Sequence, residues 1–544
     1  CSRIGAEMDL LKRHLDDAWT LFERACRHLK GRAIDDVQIE LYDLAFSLAE
    51  LVASRVMLEY AQRPAESSER ALKEAVTQSF VAETVASLHS RIRLRPGAYG
   101  FASKELDSRY LELTDAALDP VELVKLGQLF RDRDGRLPID HLDEERTLMR
   151  SSFRQFAEEQ VLPLAEQIHR EDLLVPDSII DGIRELGCFG LSVPERYGGL
   201  KPDEEEDSLG MVVVTEELSR ASLGAAGSLI TRPEIMARSV LEGGTDEQKQ
   251  RWLPGIARGD PLVAVSVTEP GTGSDVASVA LRATPTQGGW LLNGGKTWCT
   301  FAGKAGAILV LARSEPEVTP PHRGLSLFVV EKPEFNGQSF EFESPGGGRI
   351  SGQAIATLGY RGMHSFEMFY DDFFVPEENL VGGKGGRGKG FYFTMRGFSG
   401  GRLQTAARAS GLMQASFEAA LSYAEQRRVF GREVADYPLT LQKIGRMGAT
   451  ITAVRQFGYV VAGLMDRDQG QIEASLVKLF ACKAAEWITR EGLQIHGGLG
   501  YAEETPVSRY FVDARVLSIF EGAEETLALR VVGKSLLEDG YVTF

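Results

Sequence analysis

Histidine and cysteine are scarce in this chain, eight and five among 544 residues. The cysteines, Cys1, Cys26, Cys188, Cys299 and Cys482, are odd in number and widely scattered. No pair stands at metal-ligand or redox spacing, so no metal site is expected. They read as free thiols in a reducing, cytoplasmic compartment, each behaving as a small hydrophobe. No apolar run reaches the length of a membrane span, and no signal-peptide pattern opens the chain. Positive charge is also in short supply: 61 Lys and Arg face 78 Asp and Glu, a net charge of −17. That argues against nucleic acid or an anionic membrane as the main partner. Any anionic substrate must be caught by local arginines.

What is present is an ordinary globular composition, 43% hydrophobic and 26% charged. The length exceeds that of a single core and predicts three or four domains. Helical spacing of apolar residues runs from Met8 to Leu29, Ile39 to Leu58 and Ala71 to Ile92, until Arg95-Pro96-Gly97 stops it. A looser polar segment follows, then a second helical block from about Leu142 to Ala257. From about residue 262 the pattern changes to strand-like runs at 262–267, 289–295, 308–312 and 325–330, bounded by Gly, Pro and polar residues. The β segment ends near Asn379, and long amphipathic helices return from Phe391. The fold class is therefore α+β, with its strands gathered in one block. We expect a helical extension over 1–135, an α-domain over 136–261, a β-domain over 262–385 and a helical bundle over 386–544. The glycine-rich run Gly382–Gly390 lacks the Gly-Lys-Ser/Thr ending of a phosphate-binding loop. It reads as a flexible linker, with a basic contact to phosphate as the alternative.

Four stretches carry chemistry. They are Val267-Thr268-Glu269-Pro270-Gly271-Thr272-Gly273-Ser274-Asp275, Asn293-Gly294-Gly295-Lys296-Thr297-Trp298-Cys299-Thr300, Arg427-Arg428-Val429-Phe430-Gly431, and a last one from Gln494-Ile495-His496-Gly497-Gly498 to Phe520-Glu521-Gly522. Their order and separations resemble the acyl-CoA dehydrogenase family over about residues 140–540. The resemblance implies a helical N-terminal domain, a β-barrel-like middle domain, a C-terminal four-helix bundle and FAD as cofactor. Thr268 and Thr300 each end a β run, where a hydroxyl can reach the edge of a flavin, and Trp298 would pack beside it. The turn through Ser274 lets backbone amides approach a phosphate. Taken alone, such a turn reads first as a tight β connection; beside both threonines and the tryptophan it reads as part of a flavin site.

In the family FAD lies across a subunit boundary. Arg427 and Phe430 match positions that hold the far end of the neighbour's cofactor, with Gln494, Gly497 and Gly498 on the other side. The arginine's fixed fork of donors suits phosphate oxygens. Val429 and Pro438 depart from the family's usual polar residues, so some contacts to FAD are replaced. Glu521 matches the catalytic glutamate that takes the α-proton of an acyl thioester as hydride leaves the β-carbon. Burial under flavin and substrate would improve it as a base. Without the resemblance, Glu521 reads as a carboxylate near a helix N-terminus. Gly522 lets the backbone pass close to the thioester, whose oxygen the Glu521 amide would polarise. The family's alternative seat for the base precedes Arg402, and here it is Gly401, which carries no carboxylate. Arg402 itself reads as a CoA contact or a surface ion pair. The family's usual Thr-Ser-Gln after the base is Ala523-Glu524-Glu525 here.

The resemblance implies an acyl pocket beside a helix at about Ser219 to Glu242, in which Arg232 stands facing the acyl tail. A charge in an apolar slot needs a partner, either Glu234 or another protein carboxylate, or a carboxylate of the substrate. The second reading implies a short branched dicarboxylic acyl-CoA, such as a succinyl or glutaryl thioester. The helical extension either caps the cleft or fills the face through which relatives form tetramers, and a homodimer is expected. Electron-transfer flavoprotein is the expected acceptor; an oxidase using dioxygen is the nearest rival, and a short-chain monocarboxylic acyl-CoA dehydrogenase is the other alternative. A DNA-binding flavoprotein of the same family is opposed by the charge and by the intact Glu521.

Overall fold

The computed structural model describes residues 2–106, 108, 110–538 and 541; Cys1 lies outside the described residues. The chain forms two compact units, Leu148–Gln404, and Cys1–Thr147 with Thr405–Phe544.

In the unit 148–404, short helices precede a curled sheet. Helix Asp246–Arg258 shows how local chemistry sets its ends: Thr245 and Gln248 exchange capping hydrogen bonds at 3.3 and 3.1 Å, and Gly259 closes it at φ 66°. The sheet has eight strands: β1 Val263–Ser266, β2 Arg282–Thr286, β3 Gly289–Thr300, β4 Ala307–Arg313, β5 Leu325–Glu331, β6 Ser339–Glu343, β7 Arg349–Ala354 and β8 Ser365–Pro376. Their order is β1-β4-β2-β3-β8-β7-β6, with β5 paired to β4. Strands β4 and β5 are buried on both faces. Ile308, Val310, Phe328 and Val330 join Trp290 and Phe366 in one cluster. Leu309, Leu311, Leu327 and Val329 meet Met236, Val240, Trp252 and Ile256 of the helices Thr231–Gly243 and Asp246–Arg258 in another. Two buried faces explain why these strands read as unbroken apolar runs.

The glycine-rich run is not the flexible linker expected from composition. It carries the short helix Gly383–Gly386, and the Gly388 N–H donates to Ser326 Oγ at 2.9 Å. Arg387 pairs with Glu315 and covers the Trp290 ring at 5.2 Å. A Cβ on Gly386 would sit 1.9 Å from the Val381 carbonyl oxygen, so the missing side chains here serve close packing.

In the other unit, helices Gln38–Gln62, Ser67–Leu94 and Pro120–Arg131 pack against Pro438–Met465 and Gln471–His496. The crossing of Pro120–Arg131 over Pro438–Met465 is close because both contribute glycine: a Cβ on Gly127 would lie 2.0 Å from the Leu441 carbonyl oxygen. Arg131 bonds Glu433 at 2.6 Å and Asp436 at 2.9 Å, and Arg446 bonds Glu83 at 2.5 Å. Among the described residues Cys26, Cys188, Cys299 and Cys482 are free. Burial raises the thiols of Cys299 and Cys482 to about 11, which keeps them protonated and unreactive. No helix among the described residues is long and apolar enough to cross a membrane.

Candidate active site

In the unit 148–404 the chemistry gathers where β1 runs out beside β3. The turn Glu269-Pro270-Gly271-Thr272 closes on itself through paired backbone bonds of 2.9 and 3.0 Å. Two contacts register this turn on β3: the Thr297 N–H donates to the Thr268 carbonyl at 2.9 Å, and Lys296 Nζ donates to the Val267 carbonyl at 2.7 Å. The same Lys296 ammonium meets Glu269 Oε1 at 2.9 Å, and Glu269 also accepts from the amides of Ala280 and Leu281. Both side chains are buried, and that burial lowers the pKa of Lys296. Sequence spacing did not single out this pair.

Between Lys296 and Cys299 the β3–β8 ladder slips register. Trp298 sits in the slip at φ 58°, a left-handed conformation, with its side chain 55% exposed. The left-handed backbone leaves the indole ring open to stacking by a planar group. Thr268 is half-buried, Ser274 is exposed, and the buried Thr300 hydroxyl shares a hydrogen bond with Ser365 Oγ at 2.9 Å. A Cβ on Gly271 would meet no protein atom within 4 Å, so the turn's amides can be approached. Hydroxyls, open amides and an exposed indole fit a flavin and its phosphates.

Arg232, 6% exposed, opens the helix Thr231–Gly243. Its Nη1 donates to the Ser228 carbonyl at 3.3 Å and to the Tyr360 hydroxyl at 3.1 Å, both neutral. Among the described residues no carboxylate makes an ion pair with it. Glu234, the partner offered by one reading of the sequence, pairs instead with Arg238 at 2.9 Å and with Gln404. The segment from Tyr360 to Ser365 links this arginine to the end of β3: Tyr360 meets Arg232, Ser365 meets Thr300, and the Phe301 N–H donates to the carbonyls of Met363 and His364. Arg402 is half-buried, and Gly401 before it is buried.

In the other unit, Glu521 and Gly522 form the bend between helix Pro506–Leu517 and the turn starting at Glu524, at φ 54° and 98°. The carboxylate that the sequence placed near a helix N-terminus thus stands on a left-handed turn outside it. Lys478, 1% exposed on helix Gln471–His496, donates to the Phe520 carbonyl at 2.7 Å and to the Gly522 carbonyl. Its ammonium brackets Glu521 from both sides. The Arg408 guanidinium lies over the Phe520 ring at 4.6 Å, and Cys482 Sγ donates to the Leu517 carbonyl at 3.2 Å. The sequence had marked none of these supports.

The same unit brings together the remaining predicted residues. Arg427 ends the helix Gly390–Gln426, and Phe430 tips the hairpin that follows, 97% exposed at φ 47°. Tyr423, one turn before Arg427, stacks on His496 at 4.4 Å between ring centroids. His496 stands between the exposed Gln494 and the exposed Gly497-Gly498. Burial lowers its pKa, so the ring stays neutral while stacked. Gly497 adopts φ 59°, ψ −135°, which only glycine takes readily, and no protein atom lies within 4 Å of a Cβ there.

The acyl-CoA dehydrogenase N-terminal, middle and C-terminal domain models match residues 143–260, 264–373 and 388–537. The chain belongs to the acyl-CoA dehydrogenase family and is an FAD-dependent oxidoreductase. It is 41% identical over 431 residues to the (2S)-methylsuccinyl-CoA dehydrogenase of Cereibacter sphaeroides, covering 78% of this chain and 76% of that one. The butyryl-CoA dehydrogenase of Megasphaera elsdenii superposes with a TM-score of 0.66 at 28% identity, over 74% of this chain and 100% of its own. A glutaryl-coenzyme A dehydrogenase solved with glutaryl-CoA does so with a TM-score of 0.66 at 27% identity, over 74% of this chain and 98% of its own.

Proposed function

We propose that this acyl-CoA dehydrogenase oxidises (2S)-methylsuccinyl-CoA to mesaconyl-CoA. The observation that carries the substrate assignment is Arg232, a buried guanidinium with two neutral partners and no protein carboxylate among the described residues. Such a charge is costly to bury, and a substrate carboxylate offsets that cost with charge-assisted hydrogen bonds. The relative from Cereibacter sphaeroides, whose name specifies such a substrate, supports the reading.

Glu521 is the base. Its carboxylate takes the α-proton, the electron pair of that C–H bond becomes the new Cα=Cβ bond, and the β-hydrogen departs as hydride. FAD, when bound, supplies the two-electron acceptor for that hydride. Thr268, Ser274, Trp298 and Thr300 hold its ring and nearer phosphate. Arg427, Phe430, Gln494, Gly497 and Gly498 would hold the far end of a partner subunit's cofactor, so the working form is at least a homodimer. Gly522 and the Glu521 amide receive the thioester, and Arg402 contacts the CoA moiety. Electron-transfer flavoprotein reoxidises the enzyme in a reducing, cytoplasmic compartment.

The test is anaerobic flavin bleaching by methylsuccinyl-, glutaryl- and butyryl-CoA, with wild type and Arg232→Ala. Loss of a desolvated charge pair predicts a roughly hundredfold drop in kcat/KM for the dicarboxylic substrate and only a few-fold drop for butyryl-CoA. Equal losses on both would overturn the assignment.

A further inference from the structure

The chain carries a helical region ahead of residue 143, where the family models begin. One of its side chains reaches the turn that bears the base. Tyr42, on helix Gln38–Gln62, donates its hydroxyl to the carboxylate of Glu524, and Lys483 Nζ approaches the same carboxylate at 3.5 Å. The Glu524 side chain is 11% exposed, so this carboxylate depends on its two partners for compensation. Glu524 lies three residues beyond Glu521, and its N–H donates to the Ser518 carbonyl at 3.0 Å, closing the turn around the base. Helix Gln38–Gln62 also touches the segment that continues from this turn: a Cβ on Gly533 would lie 3.4 Å from Leu41. Burial and the Glu524 carboxylate raise the Tyr42 phenol far above neutrality, so it remains a donor throughout the physiological range.

We propose that Tyr42 is a positioning residue for the reaction, and that the N-terminal helical region thereby acts as a latch holding the Glu521 turn. Lys478 fixes the carbonyls inside the turn, and the Tyr42–Glu524 contact fixes the end at which the next helix begins. Without the phenol, Glu524 keeps, among the described residues, only a solvent-exposed ammonium as side-chain partner, and its carboxylate is drawn toward water with the turn attached. This inference rests on Glu521 being the base. It also gives a role to the Glu that follows the base in place of the family's usual small polar residue.

The experiment uses full-length, FAD-loaded protein carrying Tyr42→Phe, Glu524→Ala, both changes, or Glu521→Gln. The readouts are kcat, KM, the kinetic isotope effect with α-deuterated substrate, flavin content and thermal midpoint. A hydrogen bond to a charged group sets the scale, so Tyr42→Phe should lower kcat about tenfold with KM within twofold. The α-deuterium isotope effect should rise, because proton removal becomes slower relative to the other steps. The double variant should be no slower than the slower single variant, since both remove one contact. A thermal midpoint lowered without change in kcat or isotope effect would mean simple packing and would overturn the latch. Wild-type kcat in Tyr42→Phe, with Glu521→Gln inactive, overturns the latch and leaves the base reading intact. Full activity in Glu521→Gln overturns the base reading, and the latch with it.

Discussion

Replacing Lys478 by Met should separate folding from catalysis at the Glu521 turn. The ammonium donates to the carbonyls of Phe520 and Gly522, on either side of a glutamate held at φ 54°. A left-handed backbone at a non-glycine residue is disfavoured by roughly 1–2 kcal/mol, so the turn relaxes unless something holds it. Each hydrogen bond from a charged donor contributes about 1.5–3 kcal/mol. Methionine fills a similar volume and removes the burden of burying a charge, which offsets part of the loss in global stability. The turn's geometry has no such offset. Weakening its competent form by about 2–3 kcal/mol lowers the rate by roughly 30- to 150-fold at about 1.36 kcal/mol per tenfold. The assay is anaerobic stopped-flow bleaching of the flavin, with KM, flavin content and circular-dichroism melting recorded in parallel. The expected result is a folded, FAD-containing enzyme whose kcat falls by that factor while KM stays within about threefold. A Lys478→Met enzyme with kcat within twofold of wild type would refute the reasoning.

Lys296→Met strips the buried Glu269 of its ion pair and removes one of the two contacts that register the turn on β3; flavin fluorescence titration should show FAD affinity at least tenfold weaker. The Arg232→Ala substrate split described above is read by the same bleaching assay. Lys332 gives a pH dependence, because burial lowers its pKa from 10.5 to about 7. Between those values the unfolded chain binds the extra proton, so the stability contribution is fully present above 10.5 and is lost as pH falls toward 7. Thermal midpoints of wild type should therefore rise from pH 7 to 9.5 more steeply than those of Lys332→Met, and parallel curves would count against it.

Strands β4 and β5, buried on both faces, were legible in the sequence as unbroken apolar runs, and β1 and the first half of β3 as shorter ones. Strands β2, β6, β7 and β8 were not: Arg282–Thr286 contains a proline, Ser339–Glu343 is charged at alternate positions, Arg349–Ala354 contains a glycine, and Ser365–Pro376 is interrupted by Asp371-Asp372. These strands draw their stability from neighbours in the sheet, and that is not local information. Helix Pro120–Arg131 was hidden in a polar segment, although Asp119 caps it through the Val121 N–H at 2.8 Å. In the site, residues expected to touch cofactor or substrate were visible through their motifs. Those that brace them were not. Lys478 acts on carbonyls 42 and 44 residues away, and Lys296 on one 29 residues away. Buried lysines paired over such distances have no spacing to read. The same holds for Tyr360, whose role as a partner of Arg232 spans 128 residues.

Everything proposed for the reaction turns on the Glu521 carboxylate removing the α-proton. Its most direct test is the rate of anaerobic flavin bleaching by methylsuccinyl-CoA in Glu521→Gln, loaded with FAD and folded as wild type. The amide keeps the size of the side chain and removes the base, so bleaching should slow by about a thousandfold or more. Bleaching within tenfold of the wild-type rate would contradict it.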